Sequence, residues 1–161
     1  MSRFHEETLL REATEADRDR LGAMLRSYQM EIAEFSEGVA RDRTLEPQWF
    51  EHPGLHPFVI DQDSIPVGMA LVMGREYAAA MGEATDYLFN DLWVEPGVRG
   101  AGIAERAVRE VLERFPGSWS VTVLARNDRA QGFWQRALAD FLPAGGPALN
   151  EDGNTVHRFT A

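Results

Sequence analysis

The chain has 161 residues, of which 26 are acidic and 16 are basic, so its formal charge at pH 7 is −10. Every basic residue is arginine, and the absence of lysine excludes a Schiff base, a pyridoxal phosphate anchor and a phosphate-loop lysine. Cysteine is absent too, which excludes a thiolate nucleophile, a disulfide framework and metal sites built on thiolates.

The first half of the chain predicts one amphipathic helix among strands. Residues 8–12 predict a short strand, and from position 16 the apolar residues recur with the 3.6-residue period of a helix. Further on, residues 57–60 and 67–73 flank the segment Asp-Gln-Asp-Ser-Ile-Pro, which is typical of a β-hairpin.

The second half predicts strands that alternate with helices. A strand over residues 87–94 ends at Glu-Pro-Gly, and an amphipathic helix over 101–115 leads to a strand over 119–124. A helix over 129–139 follows, and the chain closes with a hairpin whose strands cover residues 148–150 and 155–159. The order predicts an α/β mixture with helical crossovers in its middle.

Length and hydropathy predict a single domain over residues 1–161. The first 30 residues contain no apolar run like that of a signal peptide, and no stretch approaches 18 apolar residues. We therefore expect a cytoplasmic protein without a membrane partner, as a monomer or a homodimer. The four histidines are scattered without a metal-binding spacing, so no metal is expected.

Positive charge is concentrated locally, which suits a small anionic ligand. Residues 95–136 hold seven arginines against five acids, although the net charge of the whole chain opposes nucleic-acid binding. Two i,i+4 pairs on the predicted helix are expected to be surface partners, namely Glu105–Arg109 and Glu110–Arg114.

The most informative segment runs from Val94 to Ala104, where a strand ends, glycines form a turn and a helix begins. Backbone N–H groups at such a helix start can bind a phosphate. The phosphate loop of nucleotide hydrolases is excluded because its lysine is missing. The dinucleotide fingerprint fits poorly, since Glu105 replaces its third glycine and Arg126 stands where an acid is needed.

The segment resembles the signature [QR]-x-x-G-x-[GA] of the GNAT superfamily of N-acetyltransferases. Two flanking motifs strengthen the resemblance, Asp91-Leu92-Trp93-Val94-x-Pro96 upstream and Asn127-x-x-Ala130-x-x-Phe133-Trp134 downstream. The likeness covers residues 8–161 in element order and about 84–142 in residue-level motifs. It implies a mixed central sheet of six to seven strands flanked by about four helices.

The resemblance also implies acetyl-CoA as co-substrate and a set of cofactor-binding residues. The backbone of Leu92 and Val94 would pair with the pantetheine amides, and Asn127 would hold pantetheine nearby. The pyrophosphate would lie on the N–H groups of Arg99, Gly100, Ala101, Gly102, Ile103 and Ala104. The arginines expected to face the 3′-phosphate are Arg99, Arg126 and Arg129.

For catalysis, the resemblance implies the N–H of Val94 as oxyanion donor. Asp91 is the nearest candidate base, with Asp86 and Glu83 behind it and a water relay as the alternative. Many members carry a tyrosine acid where this chain has Trp134, whose N–H is not an acid at neutral pH.

The function implied is transfer of an acetyl group to a primary amine of a small molecule or peptide. Because no cysteine can carry the acetyl group, direct attack in a ternary complex is favoured. The alternative is a non-catalytic acyl-CoA-binding or regulatory module on the same fold.

Overall fold

A computed structural model describes residues 9–35 and 44–161 of the chain. Within them lie four α-helices, α1 (Arg18–Ile32), α2 (Arg75–Ala80), α3 (Ile103–Arg114) and α4 (Asp128–Ala137). The strands there are β1 (Leu10–Glu12), β2 (Leu55–Gln62), β3 (Ile65–Gly74), β4 (Tyr87–Val94), β5 (Ser118–Val123), β6 (Ala148–Leu149) and β7 (Thr155–Thr160). The expected mixed sheet with about four helices is confirmed.

The strands form one sheet in the order β1-β2-β3-β4-β5-β7-β6, in which only β4 and β5 are parallel. The predicted β2–β3 hairpin turns at Asp63 and Ser64, whose φ values of 51° and 67° suit a tight hairpin turn. Parallel β4 and β5 need a crossover, and α3 supplies it. Helix α2 was not predicted from the sequence.

A hydrophobic core lies on each face of the sheet. On one face, α3 and α4 pack through Val108, Val111 and Trp134 against Phe89 and Trp119. On the other face, Leu21 and Leu25 of α1 pack with Trp49 against Leu71 and Trp93. The two faces of β4 therefore have different neighbours, which decides where each of its side chains lies.

The glycine segment begins α3 as the sequence predicts, with the first helical residue two positions later than expected. Gly100 and Gly102 have φ values of 92° and 78°, a region that favours glycine. Gly102 is the N-cap, and its carbonyl accepts the Arg106 N–H at 3.0 Å. The chain thus turns sharply from the end of β4 into α3.

Candidate active site

The two parallel strands separate soon after they meet. Their register runs only from Tyr87↔Trp119 to Phe89↔Val121. Beyond that point a cavity of about 1500 Å³ opens between the strand ends, lined also by the glycine segment, α4 and the C-terminal end of α1. Ligands of α/β sheets commonly bind beyond the carboxyl ends of strands, so this cavity is the candidate site.

The backbone at the end of β4 points into the opening. Glu95 donates its N–H to the Val67 carbonyl at 2.8 Å, beside the aligned pair Gly68↔Val94. This pattern makes Gly68 and Val94 a non-hydrogen-bonded pair, so the N–H and carbonyl of Val94 point away from β3. Leu92, two residues earlier and aligned with Ala70, has the same orientation. Both residues can therefore offer backbone groups to an extended ligand.

The start of α3 also borders the cavity, which is lined by Gly100, Gly102, Ile103 and Ala104. No side chain caps this helix, and a Cβ built on either glycine meets nothing within 4 Å. The N–H groups of the first turn carry the positive end of the helix dipole, which stabilises an anion. Ala101, between the glycines, is exposed.

Arg99 makes different contacts from those expected of a phosphate ligand. Its Nη2 donates to both carboxylate oxygens of Glu31 at 2.7 and 2.9 Å, and its Nε donates to the Val94 carbonyl at 2.8 Å. Its backbone N–H donates to the Pro96 carbonyl at 3.3 Å. In this structure Nη2, Nε and the backbone N–H of Arg99 have protein partners. Contact of Arg99 with a 3′-phosphate or a pyrophosphate stays a prediction.

The start of α4 also lines the cavity. Asn127 caps α4 through its side-chain oxygen, which accepts the Ala130 N–H at 3.1 Å, and its amide nitrogen is not used in that bond. Both Asn127 and the exposed Arg129 line the cavity, whereas Arg126 is not among the lining residues. Arg129 is thus better placed than Arg126 to meet an anionic group.

Members of the two predicted surface pairs on α3 also contact other parts of the chain. Glu105 forms an ion pair with Arg136 of α4 at 3.6 Å. Arg114 donates to the Leu10 carbonyl at 2.8 Å, so it ties α3 to β1. Glu110 is left partly buried, and desolvation raises the pKa of its carboxyl group. Arg114 thus contacts a distant part of the chain in addition to its attraction to Glu110.

Asp91 lies on the α1 face of the sheet. It is directly opposite Leu71, which belongs to the core under α1, and a bulge inserts Asn90 as an extra residue in β4. Asp91 is 3% exposed, lines the cavity and accepts a hydrogen bond from Asn90 Nδ2 at 2.8 Å. Asp91 and Val94 therefore line the same cavity.

The two other acids considered as bases are committed elsewhere. Glu83 forms two hydrogen bonds with Arg158 at 2.9 and 3.0 Å. Asp86 accepts the Ser118 N–H at 3.0 Å and pairs with Arg75. Both lie before β4 begins, at the end of the strand away from the cavity, so neither is a candidate base.

Trp134 lines the cavity from α4 and is 7% exposed. Its ring packs edge-on against Phe89 and Phe133, with centroid distances of 5.3 and 5.2 Å. Trp134 therefore packs against other aromatic side chains at the wall of the cavity.

The C-terminal end of α1 supplies another wall of the cavity. Tyr28, Glu31 and Phe35 line the cavity there. Glu31 is one of three acids near the end of this helix, at positions 31, 34 and 37, and position 37 lies outside the described residues.

Within residues 9–35 and 44–161, no group of three or more His, Asp or Glu side chains could hold a metal ion. A search of the same residues found no helix long and apolar enough to cross a membrane.

Comparison with known proteins agrees with this geometry. The sequence profile of the acetyltransferase (GNAT) family matches residues 23–139. No curated protein sequence matches the chain.

Among solved structures, an acetyltransferase from Thermus thermophilus superposes with a TM-score of 0.69 at 19% identity, covering 94% of this chain and 96% of that one. An N-acetyltransferase from Staphylococcus aureus gives 0.63 at 16% identity, covering 96% and 100%. NAA60 from Arabidopsis thaliana, solved with a bisubstrate analogue, gives 0.58 at 16% identity, covering 94% and 96%. These structures share the fold, and the profile match shows the family: the chain belongs to the GNAT family of acetyltransferases.

Proposed function

We propose that this chain is an acetyl-CoA-dependent N-acetyltransferase that acts on a primary amine of a small molecule or peptide. The observation that carries the proposal is the outward backbone of Val94 and Leu92 in the gap between β4 and β5. An extended chain with amide groups, such as pantetheine, can pair with that backbone as an additional strand does.

The phosphates of the co-substrate would lie at the other end of the same cavity. Gly100, Ala101, Gly102, Ile103 and Ala104 present the start of α3, where the open space beside the glycines admits a bulky anion. Arg129 lines the same cavity and would add its positive charge to that of Arg99, which pairs with Glu31. The residues present therefore fit the expected co-substrate.

Acetyl-CoA supplies an acetyl thioester, whose C–S bond breaks as the acceptor nitrogen forms a C–N bond. The Val94 N–H donates to the carbonyl oxygen as negative charge develops on it. Asp91 accepts the proton of the acceptor amine, directly or through a water molecule, from the α1 side of the sheet. Trp134 packs beside the reacting end without donating a proton, so the departing sulfur takes its proton from the acceptor or from water.

Two measurements test this function. Isothermal titration of the protein with acetyl-CoA should show binding, and absence of binding would contradict the proposal. Release of the free thiol of CoA is then followed with a panel of polyamines, amino acids, aminoglycosides and peptides, each with a no-protein control. Turnover with an amine supports the enzyme. Binding without turnover across the panel supports the non-catalytic acyl-CoA-binding alternative, which the tryptophan at position 134 favours.

A further inference from the structure

The carboxylate of Glu31 joins three separate parts of the chain. It belongs to the last turn of α1, and it accepts hydrogen bonds from Arg99 Nη2 at 2.7 and 2.9 Å and from Trp93 Nε1 at 3.2 Å. Trp93 lies in β4 and Arg99 in the turn that leads to α3. Three hydrogen bonds from two donor groups thus hold this carboxylate, and the charge-assisted bonds to arginine are the stronger ones.

Arg99 connects Glu31 to the backbone of the candidate site. While its Nη2 holds Glu31, its Nε donates to the Val94 carbonyl at 2.8 Å. The guanidinium is planar and rigid, so holding its Nη2 on a carboxylate also limits the direction in which its Nε–H points. The side chains of Arg99 and Glu31 are 27% and 37% exposed, so water and salt screen their attraction less than that of a fully exposed ion pair.

The contact between Arg99 and Glu31 also sets the net charge at this point of the cavity. Arg99 lies beside the proposed phosphate region, yet its charge is matched by Glu31. Without Glu31, the guanidinium would lose its anionic partner and the Val94 carbonyl would lose a donor held in one direction. The Glu31 side chain on α1 thus helps to fix, through Arg99, the position of the Val94 carbonyl on β4.

We infer that Glu31 is a positioning residue for the co-substrate site, acting through Arg99 to hold the end of β4 and the glycine turn in their binding geometry. This inference rests on the proposed function for the identity of the ligand, acetyl-CoA. Through one ion pair, the wall formed by the C-terminal end of α1 is linked to the wall formed by β4 and the glycine turn.

The test measures acetyl-CoA affinity by isothermal titration in Glu31→Gln, Arg99→Gln and the double variant. Each single variant should bind about tenfold more weakly, as expected from loss of a charge-assisted interaction. The double variant should be no weaker than either single one, because both changes break the same link. Asp19→Asn, which removes one negative charge from an exposed position on α1, should bind as the wild type does.

Two further readouts separate positioning from general stability. The indole N–H signal of Trp93, assigned with Trp93→Phe, should move in Glu31→Gln and stay in place in Asp19→Asn. In turnover with an amine found to be an acceptor, Glu31→Gln should raise KM for acetyl-CoA while kcat stays within about threefold. Arg99→Lys keeps a cation but removes the Nε donor, and it serves as the second variant if Glu31→Gln does not fold.

The outcomes are distinguishable. If the wild type binds acetyl-CoA and Glu31→Gln binds it equally well, the inference is overturned while the proposed function stands. Additive losses in the double variant would also overturn it, since the two residues would then act separately. If the wild type itself does not bind, the proposed function falls and this inference falls with it.

Discussion

Gly68 of β3 lies directly opposite Val94 of β4, and a Cβ on Gly68 would lie 2.5 Å from the Trp93 carbonyl oxygen and 3.2 Å from the Val94 Cα. Both are backbone atoms, which cannot turn aside as a flexible side chain can. Glycine at this position therefore permits the close approach of the two strands, and it fixes where the Val94 backbone lies.

Gly68→Ala should consequently move the end of β4 and damage both stability and binding. Overpacking of this kind lowers the free energy of unfolding by about 1–3 kcal/mol. Denaturant unfolding and titration with acetyl-CoA measure the two effects. Gly22→Ala in α1 is the control, because its added Cβ meets only Arg26 Nη1 at 3.7 Å, and alanine should stabilise the helix by up to about 1 kcal/mol. Wild-type affinity in Gly68→Ala would contradict the assigned role of Val94.

Gly102→Glu should abolish acetyl-CoA binding while the fold persists. The substitution places a carboxylate at the start of α3, where we propose that the pyrophosphate lies. Its matched control is Gly153→Glu, since Gly153 has a similar φ, 81° against 78°, and equally open surroundings in the β6–β7 turn. Both variants should lose about 1–2 kcal/mol of stability from the left-handed backbone. Only Gly102→Glu should lose affinity in titration, and equal affinities would show that the turn does not bind the phosphates.

Asp91→Asn should lower kcat by roughly 100-fold or more if the carboxylate accepts the proton of the acceptor amine. Acetyl-CoA affinity should change little, because Asp91 lies on the α1 face of the sheet. Glu83→Gln is the control, because Glu83 lies beyond the end of β4 that is away from the cavity and pairs there with Arg158 of β7. Thiol release under saturating co-substrate measures both variants, and a wild-type rate in Asp91→Asn would favour water as the base.

Trp134→Phe should retain kcat within about threefold, because the tryptophan contributes packing and no acidic proton. Trp134→Ala should destabilise the protein by about 3–5 kcal/mol, since the residue is 7% exposed in the core beside Phe89. Turnover and thermal unfolding are measured on both. A 100-fold loss of kcat in a folded Trp134→Phe variant would show that the indole N–H takes part in the reaction.

Asp86 should make stability depend on acid pH. The Ser118 N–H, followed by Arg75 and the Ser118 hydroxyl, lowers the pKa of this carboxyl group to about 2 from its ordinary 3.8. A lowered folded-state pKa means that the stabilisation is complete above about pH 4 and is lost as the pH falls through 2.

Asp86→Asn should therefore melt below the wild type at pH 7, and the difference in Tm should shrink between pH 4 and pH 2. Arg75→Gln, which leaves the Ser118 bonds in place, should show the same trend with a smaller amplitude. A difference in Tm that does not change with pH would show that Asp86 stabilises the protein by the shape of its side chain and not by its charge.

Local pattern was enough to predict most of the elements around the site. Three features depend only on neighbouring residues and could therefore be predicted from the sequence. They are the apolar period of α3 with its glycine start, the hairpin at Asp63 and Ser64, and the strand before the glycines. The same motifs indicated the family.

Contacts between distant residues were not predictable in this way. Glu31 and Arg99 are 68 positions apart, and nothing in either local segment specifies the pair. The face on which Asp91 lies depends on the bulge at Asn90, which exists only in the alignment of β4 with β3. Arg114 likewise finds the Leu10 carbonyl across 104 positions.

The separation of β4 and β5 gives the sheet an inner edge in addition to its two outer ones. An edge strand with unpaired backbone groups is a place where another extended chain can add, and such edges promote association between molecules. Arg99 covers the Val94 carbonyl, and the bulge at Asn90 breaks the regularity of the strand. The same backbone that would hold pantetheine is thus an opening in the sheet when nothing lies on it. We expect that a ligand bound in this gap protects the protein against aggregation, whether or not acetyl transfer takes place.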